Sequence, residues 1–150
     1  MKTRLVPCSD ILRQQLVEIA KEAGVYEEYC SRFANFLHPQ TGSFEWILLV
    51  GDKPAGLAVF TPKADACWLD VFVMPAYWGR WATFRTFRMI AEVAFGNYGA
   101  HAIAVVTSNP SSARILAHQR FIPYAVCEHG ACFVLYKHML HPRIRNGKPV

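Results

Sequence analysis

The chain has no apolar run approaching the roughly 20 residues that span a bilayer as a helix. Its first residues, Met1-Lys2-Thr3-Arg4, carry no apolar core of a signal peptide. The expectation is therefore a soluble protein of the reducing cytoplasm, with no membrane contact. Cysteine is present without a framework. Cys8, Cys30, Cys67, Cys127 and Cys132 are odd in number and share no repeated spacing, which argues for reduced thiols used as small core residues. Cys127, His129 and Cys132 cluster, yet their spacing fits no common zinc pattern, and no metal site is expected. A long basic stripe is also missing. The net charge of +5 lies largely in the last dozen residues and between Arg80 and Arg88, so nucleic-acid contact is expected to be at most non-specific and salt-sensitive.

What remains is a chain rich enough in apolar side chains, at 53% of 150 residues, to bury one core without metals or disulfides. Lys2 to Val6 reads as a first strand. Ser9-Asp10 caps a helix running to about Ala23, with Leu12, Leu16, Ile19 and Ala20 on one stripe and Gly24 at its end. A second helix is expected from about Tyr26 to Phe36, and His38 to Ser43 reads as a loop. Glu45 to Val50 and Ala55 to Thr61 form a hairpin around Gly51-Asp52-Lys53-Pro54, and Cys67 to Met74 is the next strand. A long helix is expected from Trp81 to about Phe95, ended by Gly96-Asn97-Tyr98-Gly99. His101 to Thr107 reads as a buried strand, Asn109-Pro110 as a cap and first helical residue, and Ser111 to Gln119 as a short helix. Tyr124 to Cys127 and Ala131 to Tyr136 close the domain as a hairpin.

Two stretches carry a resemblance. The segment Val73-Met74-Pro75-Ala76-Tyr77-Trp78-Gly79-Arg80-Trp81-Ala82-Thr83 resembles the acetyl-CoA loop of the GNAT acetyltransferase superfamily. There a strand ending in Val-x-Pro leads through Gln/Arg-x-x-Gly-x-Gly/Ala into a helix. Aligned on Val73 and Pro75, the Arg/Gln position is Trp78, the central glycine is Trp81 and the final small residue is Thr83, while Gly79 is retained. The second stretch is similar to the family's Asn-x-x-Ala-x-x-Leu-Tyr-x-x-x-Gly-Phe at Asn109, Ser112, Ile115, Leu116, Arg120 and Phe121. Leu116 stands at the tyrosine position and Arg120 at the glycine.

The resemblance implies an α+β (mixed α/β) fold: a central, mostly antiparallel twisted sheet of six to seven strands flanked by about four helices. It spans residues 2–138 as one domain, with 139–150 as a basic tail. It also implies a set of site residues. Asp70, on the fourth strand, is the candidate base. Phe72, Val73, Gly79, Arg80, Trp81, Ala82, Thr83 and Asn109 are the positions that would hold acetyl-CoA. Leu116 cannot donate the proton that a tyrosine there supplies to the leaving thiolate, and Tyr98 and Tyr124 are the substitutes nearest in sequence. Arg85, Arg88 and Glu92 fall opposite Phe84, Phe87, Ala91 and Ala94 and read as a solvated helix face.

A tryptophan in place of glycine obstructs an anion cradle and restricts left-handed backbone. On this ground no cofactor is expected, with acetyl-CoA as the group the loop would take if it takes one. The reading is then a GNAT-fold interaction or structural module, with a protein partner or a second copy held by Trp78, Trp81, Arg143, Arg145 and Lys148. Leucine at the tyrosine position also resembles the short GNAT-like proteins encoded among virion genes of podovirus-type tailed phages, which implies a virion or assembly component. The alternative is an acetyl-CoA-dependent N-acetyltransferase with a divergent pyrophosphate loop and Asp70 as base.

Overall fold

The computed structural model describes residues 2–32 and 42–139. The expected end of the second helix, most of the 38–43 loop and the basic tail with Arg143, Arg145 and Lys148 lie outside the described residues. The strands are β1 (Thr3–Pro7), β2 (Phe44–Val50), β3 (Lys53–Lys63), β4 (Ala66–Val73), β5 (Ala102–Thr107), β6 (Ile122–Cys127) and β7 (Gly130–Tyr136). The helices are α1 (Asp10–Glu22), α2 (Tyr26–Arg32), α3 (Phe84–Ala91) and α4 (Pro110–His118). The sheet order is β1-β2-β3-β4-β5-β7-β6. Its β4–β5 pair is parallel, and β1–β2, β2–β3, β5–β7 and β6–β7 are antiparallel. This is the mixed, mostly antiparallel architecture expected.

Contacts divide the chain into two compact units. The first takes residues up to Thr61 together with Asp70–Met89. Helix α1 starts where Ser9 Oγ accepts from the Leu12 amide at 3.2 Å, and its end is followed by Gly24 at φ +75°. Between these signals the apolar stripe turns Leu16 and Ala20 fully inward. They pack with Tyr29, Ile47, Leu49, Leu57, Phe72 and Met74 into one core. Burying a side chain such as Leu16 is worth about 1.5–3 kcal/mol. Gly56 of β3 lets the backbone of β4 come close, since a Cβ there would lie 2.5 Å from the Phe72 carbonyl oxygen. That contact fixes the strand end from which the loop departs.

The second unit takes Pro62–Leu69 and the chain from Ile90 onward. Its core includes Cys67, Phe95, Ile103, Leu116, Phe121, Phe133 and Leu135. Asn109 caps α4, its Oδ1 accepting from the amides of Ser111 at 2.8 Å and Ser112 at 3.4 Å, with Pro110 as the first helical residue. Arg120 stands at φ +73°, the left-handed conformation a glycine would adopt there.

One expected boundary is corrected. The helix expected to start at Trp81 starts at Phe84, because Thr83 is its cap: Thr83 Oγ1 accepts from the Thr86 amide at 3.1 Å. The same helix does not run as α to Phe95. From Glu92 to Asn97 it widens into a π turn, with the Tyr98 amide donating to the Val93 carbonyl at 3.2 Å.

Candidate functional site

The segment from the end of β4 to the start of α3 lies within the first unit, and its geometry follows from where its amides go. Met74 is buried, and its amide donates to the Ala55 carbonyl at 2.7 Å, which seals the strand end against β3. Pro75 then opens a single 3-10 turn to Tyr77. The amides of Tyr77 and Trp78 donate to Met74 and Pro75, those of Arg80 and Trp81 both donate to the Tyr77 carbonyl, and that of Thr83 donates to Trp81. Gly79, at φ +80°, supplies the left-handed residue this reversal needs. Among the described residues, the amides of Gly79, Ala82 and Arg85 meet no protein acceptor. Backbone N–H groups at a helix start that lack partners form the standard place for an anion.

The large side chains of the loop turn onto the protein. The Trp78 indole N–H donates to the Val73 carbonyl at 2.8 Å, although the residue is 57% exposed. Trp81 stacks on Phe87 with ring centroids 5.6 Å apart and planes 29° apart. Arg80 donates to the Ala76 carbonyl at 2.5 Å, its guanidinium lying over the Tyr77 ring. Arg85 and Arg88 are exposed on α3. Trp81 thus has an apolar partner of its own.

Asp70 is exposed on β4, two residues from Phe72 and so on the same strand face. Phe72 itself is 2% exposed and meets Tyr29 edge-on at 5.2 Å, which leaves its side chain to the core. Val73 has its carbonyl taken by Trp78. In the second unit, Asn109 spends its side-chain oxygen on capping α4, and its amide donates to Thr107 Oγ1 at 3.1 Å. Leu116, which the sequence resemblance sets at the family's tyrosine, is buried. Tyr98 follows the π turn half-buried, and Tyr124 is 69% exposed on β6.

A buried polar group that the sequence did not announce lies in the first unit. The Arg13 guanidinium of α1 donates to the Glu45 carboxylate of β2, with side chains only 18% and 7% exposed. Burial pushes the Glu45 carboxyl up against the opposing pull of Arg13. Burial likewise raises the Cys8 thiol beside this pair and pushes the Tyr29 hydroxyl well above its ordinary range. Closed to solvent, the pair ties α1 to the sheet rather than offering a reactive group. A charged residue at the start of the run Glu45-Trp46-Ile47-Leu48-Leu49-Val50 was the only signal for it. Among the described residues, no three His, Cys, Asp or Glu side chains gather as a metal site, and no helix is long and apolar enough to cross a membrane.

Comparisons with known proteins agree with this architecture. No curated protein sequence matches the chain. Solved structures do. The N-acetyltransferase PseH of Campylobacter jejuni in complex with acetyl coenzyme A superposes with a TM-score of 0.66 at 14% identity, over 91% of this chain and 99% of that one. A spermidine N-acetyltransferase SpeG chimera from Vibrio cholerae and hSSAT gives 0.72 at 12% identity, over 95% and 100%. The dodecameric spermidine N-acetyltransferase from Vibrio cholerae gives 0.68 at 10% identity, over 94% and 97%. Those likenesses are of fold. The family model for acetyltransferases of the GNAT family matches residues 8–121, and the chain belongs to that family.

Proposed function

We propose that the chain is an acetyl-CoA-dependent N-acetyltransferase acting on a primary amine, rather than the structural module that the loop composition alone favoured. The observation that carries this reading is the trio of unpartnered amides at Gly79, Ala82 and Arg85 beside exposed Arg85 and Arg88, with Trp81 folded away onto Phe87. Those donors and charges fit a pyrophosphate, and the family and the fold of the relatives support the same cofactor.

Acetyl-CoA supplies the acetyl thioester. The chain's own residues have three tasks. The amides of Gly79, Ala82 and Arg85, with the Arg85 and Arg88 guanidinium groups, hold the pyrophosphate. Asp70 accepts the proton of the attacking amine, directly or through a water, as the amine nitrogen bonds the carbonyl carbon and the carbon–sulfur bond breaks. With leucine where the family's motif has tyrosine, the sulfur would leave as thiolate. An alkyl thiol ionises near about 8.5, so thiolate is a tolerable leaving group near neutral pH, and the missing acid slows the step without forbidding it.

Calorimetric titration of the full chain with acetyl-CoA tests this. Micromolar binding that weakens about tenfold in Arg85→Ala, a loss of about 1.4 kcal/mol, is the expected result. No heat at millimolar cofactor would overturn it. The interaction-module reading keeps one specific observation, the exposure of Trp78, and gains ground only if that titration is silent.

A further inference from the structure

The sheet face that carries Asp70 can be followed strand by strand within the first unit. β3 and β4 are consecutive strands joined by the short turn at Ala64-Asp65, so they run antiparallel. The Met74 amide donates to the Ala55 carbonyl at 2.7 Å, and a Cβ on Gly56 would lie 3.2 Å from the Val73 Cα. Ala55 therefore opposes Met74, and counting along both strands sets Leu57 opposite Phe72 and Val59 opposite Asp70. The packing agrees, since Leu57 and Phe72 share the core with Leu16 and Ala20 of α1 and Val59 packs against it. On the other side of β3, Glu45 pairs with Val59. Glu45, Val59 and Asp70 thus form a row across β2, β3 and β4, with the apolar core to one side of it.

To the other side the face turns polar. Thr61 is the next residue of β3 on this face, and its Oγ1 lies 2.9 Å from the Oγ of Ser43, which precedes β2. Both residues are half-buried. A cross-strand hydroxyl pair stabilises a sheet wherever it stands, but this one stands beside an exposed carboxylate. Thr61 is one diagonal step from Asp70, a Cα separation of about 7–8 Å with both side chains on the same face. A small molecule lying on this face can reach the carboxylate and the hydroxyls together.

Hydrogen-bonding capacity selects the molecule. A Ser–Thr pair bonded to itself spends one O–H and keeps the other, with lone pairs left on both oxygens. It can give a hydrogen bond to, and take one from, a single group that is both donor and acceptor; an alcohol is such a group, whereas an ammonium only donates and a carbonyl only accepts. Glu45, the other carboxylate of the row, is held by the Arg13 guanidinium and offers no charge to a second amine. We infer that the acceptor is a vicinal amino alcohol, a primary amine with a hydroxyl on the neighbouring carbon, its nitrogen at Asp70 and its oxygen on the Ser43–Thr61 pair. The inference rests on the acetyl-transfer reading with Asp70 as base. The nitrogen is acetylated and the hydroxyl leaves unchanged, so Thr61 and Ser43 decide which amine is used and move no proton of the reaction.

Steady-state turnover of acetyl-CoA with aminoethanol and with propylamine, which has a methyl in place of the hydroxyl, tests the inference. Rates are compared at equal free-base concentration, because the two amines ionise at different pH. The expected kcat/KM is about tenfold higher for aminoethanol, the scale of one neutral hydrogen bond, and the difference lies in KM. In Thr61→Val/Ser43→Ala the ratio falls to about one, whereas Thr61→Ser, which keeps a hydroxyl, retains the preference. A pair that only braces the sheet would slow both amines alike on removal; a ratio that survives the double variant therefore overturns the proposal. Should that variant fail to fold by circular dichroism, Thr61→Val alone decides by the same ratio. Equal turnover of both amines by the wild type ends the inference and leaves the acetyltransferase reading in place. Turnover of neither also ends it, and calorimetry with acetyl-CoA then decides the wider reading separately.

Discussion

The indole nitrogen of Trp78 and the carbonyl oxygen of Val73 are 2.8 Å apart, a hydrogen bond that folds the loop back on the strand it leaves. It joins the conformation of the loop to the last residue of β4, beside the buried Met74 whose amide is held by Ala55. Trp78→Phe keeps most of the ring and removes the donor. Unfolding by urea should show a loss of about 0.5–1.5 kcal/mol, with acetyl-CoA affinity equal or tighter because the Val73 carbonyl is released. An unchanged midpoint would mean that solvent satisfies that carbonyl equally well.

Trp81→Gly restores the residue the loop pattern calls for. With the ring stacked on Phe87, the substitution should cost about 0.5–1.5 kcal/mol for the stacking, with the lost ring burial added to it, and leave acetyl-CoA affinity unimproved. Thermal unfolding and titration measure the two effects separately. A tenfold gain in affinity would show that the indole obstructs the anion after all.

Asp70→Asn should lower turnover with a primary amine by about 10²–10⁴-fold while leaving the unfolding transition and cofactor binding in place. The residue is exposed on β4 outside the first unit's core, and asparagine keeps its size and a hydrogen-bonding oxygen. Undiminished turnover would remove it from the mechanism.

The Glu45 carboxyl is raised by burial, and the sign of its effect on stability follows. Its contribution is fully present below the ordinary glutamate value of about 4.3 and is lost as pH rises through the raised value. Compared with Glu45→Gln by denaturant titration, the wild type should therefore lose relative stability as pH climbs from the ordinary carboxylate range toward neutrality. A relative gain over that interval would mean that the attraction of Arg13 outweighs the cost of burial.

Much of the fold was legible because its signals are local. Ser9 before a stripe of Leu12, Leu16, Ile19 and Ala20, Gly24 after it, and Asn109-Pro110 before α4 each act through neighbours a few residues away, and the chain obeys them. The start of α3 was misread by three residues. Trp81 fits the apolar spacing of a helix, yet Thr83 supplies the cap, and one competent cap overrides one apolar position. The π turn at Glu92–Asn97 leaves no mark in the apolar pattern, since Val93, Ala94 and Phe95 would be buried under either winding.

The sequence by itself determined the order of elements, the strand–loop–helix that carries the candidate site and the residues available to it. The tertiary structure alone decided how those residues are disposed. Whether Trp81 blocks an anion or packs on Phe87 depends on where α3 places Phe87, and whether an amide is spent or open depends on the path of the turn from Pro75 to Thr83. The Arg13–Glu45 pair joins residues 32 apart in the chain, and no local rule reaches that far. Side-chain direction and long-range pairing are set by which surfaces the packed chain brings together, and that is settled only when every element competes for the same core.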